Sequence, residues 1–309
     1  MMADHWTTND IPDLAGKTAL VTGANAGLGY EISKILADHG ARVLLACRNA
    51  DKAQAAATTI QEGNPKGSVE VRQVDLASMG SIDELAGKII GEESSLDLLI
   101  NNAGLMAVDE EKTQDGFEMQ LGVNHLGHFV LTGGLMPLLL STPGSRVVSM
   151  ASMGHRAGWM NFDDLMFEKR SYNRWFAYFQ SKLANILFTA ELQRRLGPDA
   201  PTQALVAHPG ASNTDLGMEG HGLTNRLVNI AAPRTTQSAA LGALPAVRAA
   251  VDPTAKGGQF YGPQFLIVGK YPVVETPSRR GRNMGDARRL WEASEELTGR
   301  TIATSLPTN

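Results

Sequence analysis

The stretch Thr18-Ala19-Leu20-Val21 runs straight into Thr22-Gly23-Ala24-Asn25-Ala26-Gly27-Leu28-Gly29, and apolar residues then recur with helical spacing to His39. A short, continuously apolar run has no polar face to give to solvent, so it predicts a strand covered on both sides. Strands of that kind recur at Val43–Ala46, Val69–Val74, Leu96–Ile100, Arg146–Met150, Thr202–Ala207 and, more weakly, Gln259–Tyr261. Between them lie helical patterns at Ala50–Glu62, Ile82–Ile90, Asp115–Leu140 and Trp175–Arg195, with a charged helix at Asp286–Leu297. Strand, helix, strand at these lengths makes parallel βαβ units, which is the α/β class. No repeat or Pro/Ser-rich linker interrupts the series, so the chain reads as one domain over 14–309, with residues 1–13 a loose N-terminal arm.

Composition narrows the partners. The 309 residues carry a net charge of −4, which gives no electrostatic reason to expect nucleic acid. The single cysteine, Cys47, excludes an internal disulfide framework and suits a reducing compartment. The first ten residues, MMADHWTTND, lack the cationic and apolar regions of a signal peptide. The apolar run Phe129–Leu140 contains Gly133, Gly134 and Pro137 and falls short of the roughly 20 residues a bilayer span requires, so it predicts a core helix. The expectation is a cytoplasmic protein with no membrane span.

The glycine turn is where chemistry first enters. Glycines between a buried strand and a helix let backbone approach a pyrophosphate, while the helix start offers free N–H groups and the positive dipole end. Gly23, Asn25, Gly27, Leu28 and Gly29 are therefore candidate cofactor contacts, although such glycines also serve merely as turn formers. At the end of the second strand an NAD site calls for a carboxylate to accept from the ribose 2′-OH. Here that place holds Cys47, followed by Arg48, whose guanidinium can pair with a 2′-phosphate. NADP(H) is thus favoured over NAD(H). Asp75 and Leu76 follow the third strand and could flank the adenine. Asn101-Asn102-Ala103-Gly104 ends the fourth, beside the crevice where ligands of open α/β sheets lie, and supplies Asn102, Ala103 and Gly104.

Tyr178-Phe179-Gln180-Ser181-Lys182 puts a phenol and an ammonium on one helical face. A nearby cation stabilises phenolate and would draw its pKa of about 10 toward neutrality, where proton transfer is effective. Tyr30 and Lys34 share the spacing but follow the glycine turn, so they read as packing and surface charge. Ser152, just after the fifth strand, offers a hydroxyl at the sheet's carboxyl edge; Ser149 is as good by composition alone. Asn124, polar within an apolar helical stretch, needs a partner and could hold a water linked to Lys182.

Taken in order, glycine turn, Asn124, Ser152 and Tyr178-x-x-x-Lys182 resemble the short-chain dehydrogenase/reductase superfamily from about Leu14 to Thr298. The branch resembled most contains the retinol dehydrogenases and the WW-domain oxidoreductase. Its similarity is carried by Gly122-Val123-Asn124-His125-Leu126-Gly127-His128-Phe129, by Ala177-Tyr178-Phe179-Gln180-Ser181-Lys182-Leu183-Ala184-Asn185, by Arg289-Leu290-Trp291-Glu292 and by the long interval from Ser152 to Tyr178. The resemblance implies a single-domain Rossmann fold with a seven-stranded parallel sheet and helices on both faces. It also implies a catalytic tetrad of Asn124, Ser152, Tyr178 and Lys182, the last also bonding the nicotinamide ribose. By the same resemblance Pro209 and Gly210, in His208-Pro209-Gly210, line the nicotinamide pocket, and Thr214 bonds its carboxamide. The activity implied is hydride transfer between NADP(H) and a small-molecule carbonyl or alcohol, with Tyr178 as acid/base and Ser152 orienting the substrate oxygen.

Two other readings stay open: an NADP(H)-binding redox sensor without turnover, and an NADPH-dependent double-bond reductase. Substrate identity is not legible. A Gly-rich polar stretch, Ala211–Arg226, suggests a substrate lid over 211–235. Met106, Met153, Trp159, Met218 and Leu223 could line it, but core packing explains such residues equally well. A lipophilic aldehyde or ketone is expected. His125, His128 and His155 form no metal pattern, and relatives of this kind form homodimers or homotetramers as well as monomers.

Overall fold

Strand β1 (Thr18–Thr22) is buried along its whole length and lies inside the sheet, between β2 (Arg42–Cys47) and β4 (Leu98–Asn101). The structure is a computed structural model and describes residues 5–211 and 237–306. Strands β3 (Ser68–Gln73), β5 (Ser145–Met150), β6 (Thr202–Ala207), β7 (Phe260–Pro263) and β8 (Pro272–Glu275) complete the order β3-β2-β1-β4-β5-β6-β7-β8. Thr18 pairs with Arg42 on one side of β1, and Leu20 with Leu99 on the other. The chain therefore reverses direction across the sheet between β1 and β4, which opens the crevice a ligand enters.

The expected seven parallel strands are present, but the sheet has eight. The additional strand, β8, pairs antiparallel with β7 from Phe260↔Glu275 to Pro263↔Pro272. It follows β7 through a short hairpin with no crossover helix, so the βαβ rhythm could not announce it. Its four residues begin with a proline, which an edge strand tolerates.

Helices α1 (Gly27–Asp38) and α2 (Ala50–Glu62) cover one face with α6 (Ala239–Val251). The other face carries α3 (Met79–Glu92), α4 (Met119–Leu140), α5 (Arg174–Leu196) and α7 (Met284–Thr298). Their apolar stripes make two cores, one on each side of the sheet. In the second, the rings of Phe129, Phe188 and Trp291 pack with centroids 5.4–5.9 Å apart and pin α7, whose exposed face is rich in charge, to α4 and α5. Such ring pairs add about 0.5–1.5 kcal/mol beyond burial. Helix α4 is long and apolar enough to cross a membrane by length and composition, yet 83% of its apolar window is buried inside the fold. It is a core helix, as its sequence predicts.

The N-terminal arm is not loose from His5 onward. Trp6 and Ile11 are buried in the first core, and Thr7 caps a turn of 3-10 helix over Thr8–Asp10. Two apolar side chains in an otherwise polar stretch suffice to dock it. Thr214, Met218, Leu223 and most of the lid proposed over 211–235 lie outside the described residues.

Candidate active site

The glycine turn is held from two sides. Gly23 has φ +65°, a left-handed conformation that favours glycine. A Cβ on Gly29 would overlap the Gly23 carbonyl, so α1 starts closer to the turn than any side chain allows. Asn102 Nδ2 donates to the Thr22 carbonyl at 2.8 Å, and Thr22 Oγ1 accepts from Asn102 N at 2.9 Å and Ala103 N at 3.0 Å. The carboxyl ends of β1 and β4 are thereby locked together. Ala26, at the N-cap of α1, offers no capping side chain, which leaves the first-turn N–H groups free for an anion.

These groups line a cleft of about 290 Å³. Gly23, Asn25, Gly27, Leu28, Gly29, Arg48, Asp75, Leu76, Asn102, Ala103 and Gly104 all border it. Arg48 is exposed and makes no ion pair with a described residue, so its guanidinium is available at the rim. Asp75 accepts from Ala77 N at 2.9 Å, which fixes its carboxylate at the end of β3. Ala26, Ala46, Cys47, Val74, Leu105 and Val123 border the cleft as well and were not among the sequence candidates. Most are apolar, and only their neighbourhood to the chosen residues could have marked them. The cradle fits a dinucleotide: backbone with no side chains in the way, an uncapped helix start and a free cation at the distal end.

Two of the four expected catalytic residues reach this cleft at Gly104, where a Cβ would come within 3.1 Å of both Asn124 Oδ1 and Lys182 Nζ. Asn124 sits in a π-helical turn, Gly122–Leu126, inside α4. Its Oδ1 accepts from Leu105 N at 2.7 Å, while its Nδ2 donates to Leu105 O and to Ser181 Oγ, both at 2.9 Å. The partner its polarity demanded is thus the backbone after β4. Tyr178 and Lys182 occupy adjacent turns of α5, both buried. Lys182 Nζ donates to the Met150 carbonyl at 3.2 Å and lies 5.9 Å from the centre of the Tyr178 ring. Ser152, beyond the end of β5, accepts from Gly154 N at 3.1 Å and hydrogen-bonds the Tyr178 hydroxyl. Ser149 lies inside β5 with its hydroxyl buried and unpartnered among the described residues. Of the two hydroxyls, it is that of Ser152 that reaches Tyr178.

One expectation needs correction. Lys182 does not draw the Tyr178 pKa down; burial pushes that phenol above its ordinary value, and the Ser152 hydrogen bond opposes this only in part. The same burial lowers Lys182 to about 8. Desolvation is the larger effect on both groups because both leave water together.

Beyond β6, Pro209 and Gly210 form a half-buried turn with Gly210 at φ +66°. Met106 and Met153 are half-buried and Trp159 is exposed. His125 bonds Ser294, His128 bonds Thr22, and His155 bonds the Ser152 carbonyl; all three are buried framework residues. Among the described residues no cluster could hold a metal ion.

Comparison with known proteins gives consistent matches. Residues 17–221 fit the family model described as short chain dehydrogenase. Retinol dehydrogenase 13 of Homo sapiens is 41% identical over 97% of this chain and 90% of its own length. Retinol dehydrogenase 11 of Mus musculus is 42% identical over 97% and 91%. An uncharacterized protein from Mycobacterium paratuberculosis has a crystal structure that superposes with a TM-score of 0.81 at 42% identity, covering 97% of this chain and 99% of that one. A structure from Beutenbergia cavernae, described as an NAD(P)-dependent gluconate 5-dehydrogenase with NADP bound at low occupancy, gives 0.64 at 26% identity, covering 81% and 96%.

Proposed function

The chain belongs to the short-chain dehydrogenase family, and from that premise we propose that it interconverts a lipophilic aldehyde or ketone and its alcohol, using NADP(H) in preference to NAD(H) and Tyr178 as the acid/base. The observation that carries the reading is that Asn124 and Lys182 reach the nucleotide cleft at Gly104, while Lys182 and Ser152 both stand beside Tyr178.

Bound in the cleft, a nicotinamide cofactor supplies or accepts the hydride. The residues do the rest. A raised pKa keeps the proton on Tyr178 at neutral pH, ready for a substrate carbonyl oxygen in the reducing direction. Ser152, already bonded to the same hydroxyl, orients that oxygen. Lys182, held by the Met150 carbonyl, brings a positive charge to the floor of the site, where developing negative charge on oxygen is stabilised. Asn124 fixes the Leu105 backbone and so the wall between cleft and tetrad. Arg48 supports the preference for a 2′-phosphate, since a free guanidinium stands beside Cys47, the position where an NAD site would present a carboxylate. The lipophilic substrate class is supported by relatives whose names specify retinol, an apolar alcohol.

A panel of aldehydes and ketones assayed with NADPH and with NADH, on the native protein and on Tyr178→Phe, tests the whole reading. NADPH-dependent turnover of apolar carbonyls, lost in Tyr178→Phe, is expected. Equal rates with both cofactors would remove the role given to Arg48. Cofactor binding without turnover of any carbonyl would favour a redox sensor instead.

A further inference from the structure

We propose that Glu275 is a positioning residue for the nicotinamide side of the site: facing His208, it selects the imidazole tautomer that holds the Pro209–Gly210 turn. The inference rests on the reading above, in which that turn borders the nicotinamide.

His208 is fully buried at the carboxyl end of β6. Its Nδ1 accepts from Gly210 N at 3.1 Å. A nitrogen that accepts carries a lone pair, so in the neutral ring the proton sits on Nε2. That nitrogen stands 3.3 Å from Glu275 Oε2. The Glu275 side chain is only 9% exposed, and neither its oxygens nor His208 Nε2 has a hydrogen-bond partner among the described residues. An isolated buried carboxylate is costly, which leaves the ring N–H as its natural counterpart.

The neighbouring imidazole is not available for the task. His155 Nδ1 bonds the Ser152 carbonyl at 2.6 Å, and its Nε2 accepts from Ser278 N at 3.2 Å. Burial holds His155 neutral by lowering it to about 4. Both its nitrogens are therefore committed. Gly262 on β7 makes room for the pair, since a Cβ there would run into both His208 Nε2 and the Glu275 carboxylate. The Pro209–Gly210 turn is also tied through Gln237 Nε2 to the Pro209 carbonyl at 2.9 Å. Its left-handed Gly210 amide is held by His208. If the proton moved to Nδ1, that amide would face a donor and the hydrogen bond would be lost.

An asparagine side chain accepts from the amide two residues on without any choice of tautomer. This gives a direct test. NADPH affinity is measured by fluorescence titration, and protection of the Gly210 amide by NMR hydrogen exchange. Glu275→Ala is expected to bind NADPH between about threefold and tenfold more weakly and to exchange the Gly210 amide faster. Glu275→Gln, whose carbonyl oxygen can also face Nε2–H as an acceptor, is expected to stay close to the native protein. The double variant Glu275→Ala with His208→Asn is expected to recover both readouts. Should Glu275→Ala fail to fold, Glu275→Met replaces it, with similar volume and no oxygen. Native affinity and native exchange in the Ala or Met variant would overturn the proposal, as would a double variant no better than Glu275→Ala. Failure of the native protein itself to bind NADPH would instead overturn the functional reading on which this one rests.

Discussion

Asn124 and Leu105 clasp each other through both backbone groups of the leucine: the amide oxygen accepts from Leu105 N at 2.7 Å and the amide nitrogen donates to Leu105 O at 2.9 Å. An asparagine presents a donor and an acceptor side by side, which is what an exposed N–H and C=O of one residue require. Removing it leaves two partly buried backbone groups without partners. Asn124→Ala is expected to lower unfolding free energy by about 1–3 kcal/mol in urea denaturation. Asn124→Asp is expected to be no better, because a carboxylate oxygen would then face the Leu105 carbonyl. Near-native stability in either variant would show that the clasp contributes little.

Lys182 is held in place against its own preference for water. Burial lowers its pKa from 10.5 to about 8. Below about pH 8 folded and unfolded chains both hold the proton, and the folded one bears the full cost of a buried ammonium. Between about 8 and 10.5 only the unfolded chain holds it, so the protein gains stability as pH rises through that window. Lys182→Met removes the ionisation, and the Met150 carbonyl keeps its bond from Asn185 Nδ2 at 3.0 Å. The variant is expected to be more stable than the native protein near neutrality, on the order of 2–3 kcal/mol, and inactive. That advantage should shrink when the two are compared at about pH 10. A gap independent of pH would mean that the ammonium is not desolvated.

The residues that could be read from the sequence are those whose chemistry contradicts their surroundings. Asn124 stands out in an apolar run, and the glycines of the first turn stand out between a strand and a helix. Leu105, Val74 and Val123 carry no such contrast, so the cleft walls they form were invisible. The π-helical turn at Gly122–Leu126 changes which carbonyl each amide bonds without changing the apolar pattern, and periodicity cannot register it. Helix α6 went unread because Gly242 and Pro245 break its pattern, although ten of its thirteen residues are buried. Strand β8, which brings Glu275 to His208, is too short to alternate. Long-range partners decided the Tyr178 pKa too: i, i+4 spacing put a cation nearby, while the surrounding fold removed the water.

Arg48 offers the most direct handle on cofactor choice. It is exposed at the edge of the cleft, so its replacement should leave the fold alone. A charge-assisted bond to a phosphate contributes about 1.5–3 kcal/mol, which corresponds to roughly 10- to 150-fold in affinity. Arg48→Ala is expected to raise KM for NADPH within that range and to leave KM for NADH unchanged. Because the effect is electrostatic, it should also weaken as salt is raised. A parallel loss with both cofactors would place Arg48 elsewhere than beside the 2′-phosphate.

Two glycines in helices are expected to respond in opposite directions to the same methyl group. At Gly87, on the exposed face of α3, a Cβ would meet nothing within 4 Å. Gly87→Ala is therefore expected to stabilise by up to about 1 kcal/mol, because alanine gives up less backbone freedom on folding and nothing has to move. At Gly29 the Cβ would overlap the Gly23 carbonyl and press on Asn102 Nδ2, the group that ties the turn to β4. Neither is the free end of a flexible side chain, so α1 must retreat from the turn. Gly29→Ala is expected to cost about 1–3 kcal/mol and to abolish NADPH binding, since the N–H groups at the start of α1 retreat with the helix. Calorimetry of both variants with and without NADPH separates the two effects. A Gly29→Ala protein that still gains its native increment in Tm on adding NADPH would show that the pyrophosphate does not sit on this turn.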